Sequence, residues 1–136
     1  MRIGFIGLGT MGGAASLNLI LGGHQLTVCD LDLKRAAKHL ELGAKWADTP
    51  SEAAKDVDIV FTMVFGPKQI EQIIRGENGL LHSMGPGQVW VDLTTNQPEL
   101  ARELAQEIID TGAIAIDAPV TGAVDGARNV NMTQFA

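Results

Sequence analysis

Cysteine pairs, a basic stripe and long hydrophobic runs are all missing from this sequence, and each absence excludes a class of protein. The single cysteine, Cys29, allows neither a disulfide framework nor the ligand spacing of a metal site, so we predict a buried, unreactive thiol and no bound metal. With 10 Lys and Arg against 16 Asp and Glu, the formal net charge is −6 and the sequence carries no basic stripe. We therefore expect no nucleic acid as a partner.

The first residues carry no charge from Ile3 to Gly23, which is also typical of a short signal peptide or a membrane span. Glycines between Gly4 and Gly13 interrupt every apolar run in that segment. No hydrophobic stretch reaches the length of a signal peptide or the roughly 20 residues of a membrane helix. We therefore expect no membrane partner and a cytoplasmic location.

Short apolar runs alternate with longer segments of helical periodicity along the chain. This alternation indicates parallel strands covered by helices, so the predicted fold class is α/β with a doubly wound, mostly parallel sheet and helices on both faces. Its 136 residues, 46% of them hydrophobic, suit about one domain. The predicted strands are RIGFI, LTVCD, AKWA, DIVFTMV, QVWVDL and AIAID, and the predicted helices cover residues 11–21, 33–42, 50–55, 67–74 and 98–109.

Several local signals add to this prediction. Thr49 and Glu52 have the spacing of a capping box, in which Thr49 caps a helix and Glu52 reaches back to it. The strand DIVFTMV is apolar almost throughout, which is typical of a strand buried on both faces. Trp46 and Trp90 are expected in the core. No chemistry is assigned to the three histidines, His24, His39 and His82.

The stretch GFIGLGTMG contains the pattern GxGxxG at Gly7, Gly9 and Gly12, between an apolar strand and a helical segment. That context is the one a dinucleotide site requires. The first glycine permits a tight turn, the second lets the backbone approach a pyrophosphate, and the third allows close packing of helix on strand. The amino terminus of the helix then offers N–H groups to the phosphates. We therefore predict a dinucleotide-binding Rossmann fold.

Asp30 ends the next predicted strand, roughly 20 residues further on, where an acid accepts hydrogen bonds from the adenosine ribose hydroxyls. The alternative is a solvated acid in a turn. The carboxylate would repel a ribose 2′-phosphate, so NAD is the expected cofactor. NADP stays possible, because Lys34 or Arg35 could accommodate that phosphate.

Three later strands end in MVFGP, DLTT and DAPVTG, which place small, hydroxyl-bearing or loop-forming residues after apolar runs. In an open α/β sheet the ligand lies off the carboxyl ends of the strands. Ordinary turn chemistry would also explain each segment. Their coincidence at one end of the sheet favours a binding site there.

Together these segments resemble the β-hydroxyacid dehydrogenase family, which includes 3-hydroxyisobutyrate dehydrogenase, and share with 6-phosphogluconate dehydrogenase the same type of NAD-binding domain. GFIGLGTMG matches the family's opening fingerprint, DLTTNQP its Asp-x-Ser-Thr-x-x-Pro segment, and DAPVTGAVDGA its substrate loop. The segment MVFGP matches the loop after the fourth strand, with Phe65 in place of the usual proline. The match covers nearly the whole chain.

The resemblance implies roles for particular residues. Thr95 lies by the nicotinamide, and the substrate carboxylate is gripped by Thr121, Gly122 and Ala123, of which Ala123 replaces a usual glycine and tightens the loop if a positive φ is needed. Cofactor contacts on the adenosine side come from Met63, Val64 and Phe65. The pyrophosphate is held by Gly7, Leu8, Gly9, Thr10, Met11 and Gly12.

The resemblance also implies a missing part. Family members carry a catalytic Lys beyond this domain, so we expect no catalytic residue in this chain and the general acid/base Lys beyond Ala136. The family's C-terminal helical domain is absent, and residues 1–136 are expected to be a Rossmann domain truncated at its C-terminal end. Asp92 and Asp117 are expected to serve packing or loop capping and not to act as the base.

The implied function is the NAD(P)-binding domain of an oxidoreductase that transfers a hydride between a nicotinamide cofactor and a small 3-hydroxy acid. This chain alone is expected to be inactive, and its parent is expected to be a homo-oligomer. Two alternatives stay open: a non-catalytic dinucleotide-binding or interaction module, and an imine reductase on the same scaffold.

Overall fold

The computed structural model describes residues 1–121 and 133–134, and for residues 120, 121, 133 and 134 it describes the backbone alone. Six parallel strands form one sheet in the order β3-β2-β1-β4-β5-β6. The sheet therefore reverses its order beside β1, which is the switch point of a doubly wound fold. The strands are β1 (Arg2–Ile6), β2 (Gln25–Cys29), β3 (Lys45–Trp46), β4 (Ile59–Thr62), β5 (Val89–Asp92) and β6 (Ile114–Asp117).

Helices connect these strands. Two short 3-10 helices, Leu33–Ala36 and Leu80–His82, precede α2 and β5. A short antiparallel pair, β7 (Val120–Thr121) with β8 (Thr133–Gln134), stands apart from the main sheet. The α-helices are α1 (Thr10–Leu21), α2 (Ala37–Glu41), α3 (Pro50–Ala53), α4 (Gly66–Arg75) and α5 (Pro98–Asp110).

Two hydrophobic clusters, one on each face of the sheet, hold the fold together. On one face α1 and the segment before α2 pack Ala15 and Ala36 against Phe5 and Val28. On the other face α3, α4 and α5 pack against strand residues that include Trp90. This arrangement confirms the predicted α/β class with helices on both faces. None of the helices in the described part of the chain is long and apolar enough to cross a bilayer.

Two local predictions need correction. Burial alternates along β4, because Val60 and Thr62 are buried while the residues between them are partly exposed, so this strand is not buried equally on both faces. Trp90 is a core residue as predicted, but Trp46 is only partly buried and its indole N–H donates to Asp48 at 2.9 Å. An edge strand with one neighbour leaves that ring open to solvent.

The predicted capping box forms in part. The hydroxyl of Thr49 accepts from the backbone N–H of Glu52 at 3.2 Å, as expected of the cap residue. Glu52 reaches back one residue further than the motif requires, since its carboxylate accepts from the N–H of Asp48 at 3.1 Å. The helix start is therefore capped from both directions by a shifted version of the motif.

Candidate functional site

A cleft of about 460 Å³ lies at the carboxyl ends of β1, β2, β4 and β5, beside the switch point of the sheet. Open α/β sheets bind ligands at this position. A depression of about 770 Å³ lies near the amino ends of β1 and β2, on the side where such sheets do not bind their ligands. The cleft is lined by residues 6, 7, 9–12, 29–31, 35, 48, 50, 63–66, 69, 72, 73 and 93–95.

The glycine turn between β1 and α1 forms one wall of the cleft. Gly7 has φ +103°, and its N–H donates to the carbonyl of Cys29 at 2.9 Å, which ties the turn to β2. A Cβ on Gly7 would collide with the carbonyl oxygen of Met63, and a Cβ on Gly12 with that of Gly7. These two glycines are therefore required by close backbone packing.

Gly9 differs from the other two glycines of the turn. The nearest atom to a Cβ built on Gly9 is a ring carbon of Phe65 at 3.8 Å, so the space in front of its backbone is open. Gly9 is also the N-cap of α1, where no side chain caps the helix and no acidic residue occupies the first turn. An uncapped helix amino terminus facing open space fits an anionic group such as a pyrophosphate.

Asp30 stands directly after β2 with a side chain that is only 9% exposed. Its carboxylate accepts from the N–H groups of Leu8 and Asp32, each at 3.3 Å. The guanidinium of Arg35 lies 3.5 Å from the same carboxylate. Arg35 lines the cleft, whereas its neighbour Lys34 does not. The acid at the predicted ribose position is therefore paired with one particular cation.

The loop after β4 forms the opposite wall. The N–H of Met63 donates to the carbonyl of Ile6 at 2.9 Å, and the N–H of Val64 donates to the hydroxyl of Thr94 at 3.1 Å. Phe65 is 81% exposed at the mouth of the cleft. The hydroxyl of Thr94 is thus used to position the loop, while Thr95 is exposed beside the cleft.

Asp92, the last residue of β5, is 1% exposed and turned away from the cleft lining. Its carboxylate accepts from the Thr62 hydroxyl at 2.9 Å, the Thr94 N–H at 3.0 Å and the Asn96 amide at 2.7 Å. Burial raises the pKa of Asp92, the accepted hydrogen bonds oppose that rise, and Asp117 adds to it. This internal network agrees with the packing role predicted for Asp92.

Cys29 lines the floor of the cleft and is buried. Burial raises the pKa of its thiol to about 12, and the nearby carboxylate of Asp30 adds to the rise. A neutral thiol is neither a nucleophile nor a metal ligand at neutral pH. The described residues hold no group of three or more His, Cys, Asp or Glu side chains that could bind a metal ion.

The cleft brings together ten of the eleven predicted cofactor-binding residues. Leu8 is the exception, because its side chain is buried in the core and only its N–H points to Asp30. Thr121 is described by its backbone in β7, and Gly122 and Ala123 lie outside the described residues. The ten residues in the cleft are Gly7, Gly9, Thr10, Met11, Gly12, Asp30, Met63, Val64, Phe65 and Thr95.

Sequence reasoning missed the part of the cleft that α4 contributes. Gln69, Gln72 and Ile73 line the cleft from one face of that helix. Their spacing of three and four residues was a usable signal, because such positions share a helix face. Leu31, which is 99% exposed beside Asp30, was also missed. No pattern in the sequence marks a lone exposed leucine.

The family model for the NAD binding domain of 6-phosphogluconate dehydrogenase matches residues 2–136. The chain belongs to that family. The chain is therefore an NAD-binding domain, and the similarity to β-hydroxyacid dehydrogenases inferred from the motifs is confirmed by its relatives and by the solved structures it matches.

Curated relatives of this NAD-binding domain are longer proteins. A probable 3-hydroxyisobutyrate dehydrogenase-like protein of Arabidopsis thaliana is 37% identical over 99% of this chain and 45% of its own length. Mouse mitochondrial 3-hydroxyisobutyrate dehydrogenase is 35% identical over 96% and 39%. The cytokine-like nuclear factor N-PAC of Xenopus tropicalis is 37% identical over 89% and 23%. The chain thus spans less than half of the length of these relatives.

Solved structures give the same fold. The 3-hydroxyisobutyrate dehydrogenase of Mycobacterium tuberculosis, solved with L-serine, has a TM-score of 0.89 and 28% identity over 98% of this chain and 45% of its own. An imine reductase from Myxococcus stipitatus, solved with NADP⁺, has a TM-score of 0.84 and 27% identity over 93% and 43%. The fold therefore serves more than one reaction.

Proposed function

We propose that this chain is the cofactor-binding part of a dehydrogenase that transfers a hydride between a nicotinamide dinucleotide and a small 3-hydroxy acid. The observation that supports this proposal most directly is the cleft at the switch point. It combines an open, uncapped glycine turn with a carboxylate about 20 residues further along the chain. The residues fit the group, because Gly7 and Gly12 let the turn close while Gly9 leaves room for phosphates.

Each wall of the cleft then has a task in holding the cofactor. The N–H groups at the start of α1 bind the pyrophosphate, and the carboxylate of Asp30 accepts from the adenosine ribose hydroxyls. The loop of Met63, Val64 and Phe65 contacts the adenosine half, and Thr95 lies toward the nicotinamide. When bound, the nicotinamide ring accepts or donates the hydride.

NAD is the proposed cofactor, with NADP as the alternative. A carboxylate at the ribose position repels a 2′-phosphate, which supports NAD. Arg35 supports the alternative, because its guanidinium lies 3.5 Å from Asp30 and offsets part of that negative charge. The imine reductase similar to this chain was solved with NADP⁺, which also supports the alternative.

The catalytic base is proposed to lie outside residues 1–136, which we take as a dinucleotide-binding unit of a longer protein. Alcohol oxidation requires a base within hydrogen-bond reach of the hydroxyl proton. Thr95 and Thr121 are poor bases at neutral pH, and Asp92 is enclosed by its own partners. A lysine beyond Ala136 therefore remains the expected base, and Thr121, Gly122 and Ala123 the expected carboxylate contacts.

Two features of the whole protein also stay proposals. We expect a homo-oligomer, which sedimentation of the whole protein would test. We expect a cytoplasmic location, although the similar mouse enzyme is called mitochondrial. Fractionation of cells followed by detection of the protein would decide the location.

Two other functions have specific support. The imine reductase with a TM-score of 0.84 supports reduction of a C=N bond on the same scaffold. The similarity to the nuclear factor N-PAC supports a non-catalytic interaction module. The 3-hydroxy acid proposal is favoured because the mouse and Mycobacterium tuberculosis relatives both carry the name 3-hydroxyisobutyrate dehydrogenase.

Cofactor binding and turnover, measured separately, test this proposal. We expect the 136-residue chain to bind NADH in a fluorescence titration and to show no reduction of NAD with a panel of 3-hydroxy acids. An extended chain that includes the next domain should turn over, because general acid–base help alone is worth about 10² to 10⁴ in rate. Turnover by the 136 residues themselves would place the base within them and contradict the proposal.

Two controls separate the competing functions. Thr121→Val keeps the side-chain shape and removes the hydroxyl, so it should slow hydroxy-acid turnover by the extended chain and leave NADH affinity nearly unchanged. Cyclic imines with NADPH serve as the second substrate panel. Activity with imines alone would favour the reductase, and the absence of both activities together with tight NADH binding would favour the interaction module.

A further inference from the structure

A pair of polar side chains is buried between α1 and α2. Ser16 is 0% exposed and His39 is 1% exposed, and the Ser16 Oγ lies 2.7 Å from the His39 Nε2. Neither residue lines the cofactor cleft. The family resemblance assigns no role to either position, and sequence analysis assigned no chemistry to His39.

The serine joins the pair to the backbone of α1. The Ser16 Oγ is 2.7 Å from the carbonyl oxygen of Gly12 and 3.1 Å from that of Gly13, and carbonyl oxygens only accept. The hydrogen bond between the Ser16 Oγ and the His39 Nε2 then connects this part of α1 to α2.

The Ser16–His39 pair is unsuited to catalysis, and burying two polar side chains is an unfavourable way to pack an interface between helices. A serine and histidine at 2.7 Å have the spacing of a nucleophile and its base, but neither is accessible to a substrate. Burying polar groups costs free energy unless they are hydrogen-bonded, and two apolar side chains at an interface of helices would avoid that cost. The pair is therefore a candidate for a role other than chemistry or packing.

The pair joins the two parts of the cleft that would hold the adenosine half of the cofactor. Gly12, whose carbonyl accepts from Ser16, is the third glycine of the phosphate turn. His39 lies four residues after Arg35, about one helical turn, and burial lowers the pKa of its imidazole while the backbone of Gly13 and Arg35 acts in the opposite sense. The ring thus lies between the glycine turn and the segment that carries Arg35.

We propose that the Ser16–His39 hydrogen bond is a positioning link that sets the Asp30–Arg35 ion pair at the correct place relative to the glycine turn. The phosphate-binding and ribose-binding groups are then already in place when the cofactor binds, so binding does not cost the free energy of reordering them. The link touches no cofactor atom, so both residues are positioning residues. This inference rests on the proposed cofactor function.

The test compares NADH and AMP, which carries only the adenosine half, as ligands of the full chain. We expect Ser16→Ala and His39→Leu each to weaken both ligands by the same factor, about 2-fold to 10-fold, as for the loss of one hydrogen bond. The double variant should be no weaker than the weaker single variant, because the two changes break one link. His39→Gln should recover most of the affinity, since its amide can donate to the serine oxygen.

Thr111→Val is the matched control. The Thr111 hydroxyl donates to the carbonyl of Ile108 at the end of α5, so its removal also breaks a bond from a hydroxyl to the carbonyl of its own helix. We expect this control to lower the urea midpoint about as much as Ser16→Ala does, without changing the affinity for NADH or AMP. The affinities are measured under conditions where every variant is folded.

Several outcomes would overturn the inference. Unchanged NADH affinity in Ser16→Ala and His39→Leu would reduce the pair to a structural one, as would equal weakening by Thr111→Val. Weakening of NADH without weakening of AMP would mean that the pair acts on another part of the site. Failure of the unaltered chain to bind NADH would instead contradict the proposed cofactor function itself.

Discussion

Asp30, directly after β2, and Asp92, the last residue of β5, lie at the same edge of the parallel sheet, yet their surroundings differ. Asp30 lines the cleft, and its carboxylate has three long contacts, at 3.3, 3.3 and 3.5 Å, one of them to the half-exposed guanidinium of Arg35. Asp92 does not line the cleft, and its three contacts, at 2.7, 2.9 and 3.0 Å, all come from neutral donors. Asp30 can therefore accept hydrogen bonds from a ligand, whereas the hydrogen bonds of Asp92 are all made within the protein.

The difference between the surroundings of Asp30 and Asp92 shows how an acid that binds a ligand can be distinguished from one with a structural role. Position at the carboxyl edge of a parallel sheet is common to both residues and does not discriminate. The discriminating features are burial and the quality of internal hydrogen bonds, because a carboxylate with short bonds to protein donors can accept little from a ligand. We therefore expect substitutions at Asp92 to change stability and substitutions at Asp30 to change cofactor affinity.

Asp92→Ala should have the largest effect. The change leaves the buried donors of Thr62, Thr94 and Asn96 without an acceptor and opens a small cavity, so we expect a loss of about 3 to 5 kcal/mol in the free energy of unfolding. Urea denaturation followed by circular dichroism measures it. Asp30→Ala is the matched control and should cost far less stability. Equal losses at both positions would erase the distinction between the two acids.

Asp30→Ala should give the next largest effect, on cofactor affinity. Loss of a charge-assisted hydrogen bond costs about 1.5 to 3 kcal/mol, so we expect NADH binding to weaken roughly 10-fold to 150-fold. NADPH binding should weaken less, because the carboxylate that repels its 2′-phosphate is also removed. Fluorescence titration with both cofactors is the measurement. Unchanged NADH affinity would remove Asp30 from the site.

The contrast between these two acids also shows what the sequence could predict. The doubly wound parallel sheet and the placement of Gly7, Gly9 and Gly12 followed from apolar runs and glycine spacing, because local steric demands at those positions allow few solutions. The internal role of Asp92 was predicted from its place at a strand end. Its partners were not, since Thr62 lies 30 residues away and only the folded sheet brings the two side chains together.

Side-chain pairing across elements was beyond sequence reasoning for the same reason. The buried contact of Ser16 with His39 joins residues of two helices that are 23 positions apart in the sequence, and no spacing rule marks it. The partial exposure of Trp46 likewise reflects its place in an edge strand of only two residues. Pattern analysis detects periodicity within an element, whereas these features arise from packing between elements.

Arg35→Gln should have a smaller effect, on the choice between cofactors. Half-exposed ion pairs are worth about 0.2 to 1 kcal/mol, so removing the cation beside Asp30 should lower the affinity for NADPH relative to NADH by roughly 1.4-fold to 5-fold. Lys34→Gln is the matched control. It removes the same charge from the neighbouring side chain, which does not line the cleft. An equal shift in both variants would indicate a general electrostatic effect and not a role for Arg35.

Asp92→Asn should have the smallest effect on stability, about 1 kcal/mol or less at neutral pH. The amide oxygen of an asparagine can accept from Thr62 and Thr94, and its NH₂ group needs an acceptor. The Asn96 Oδ1 is buried without a partner in the described structure, so rotation of the Asn96 amide by half a turn supplies one.

The pH dependence of that small difference sharpens the comparison of the two acids. Burial raises the pKa of Asp92 above its ordinary value of 3.8, so between that value and the raised pKa the folded protein keeps a proton that the unfolded chain has released. The contribution of this carboxyl to stability is therefore complete below its ordinary pKa and declines as pH rises through the raised one. Subtracting the unfolding free energy of Asp92→Asn from that of the unaltered protein removes the titration of the other carboxyls common to both. We expect this difference to fall with rising pH across the acid range. A difference that rises with pH would mean that the folded protein stabilises the charged form of Asp92, which would contradict this account.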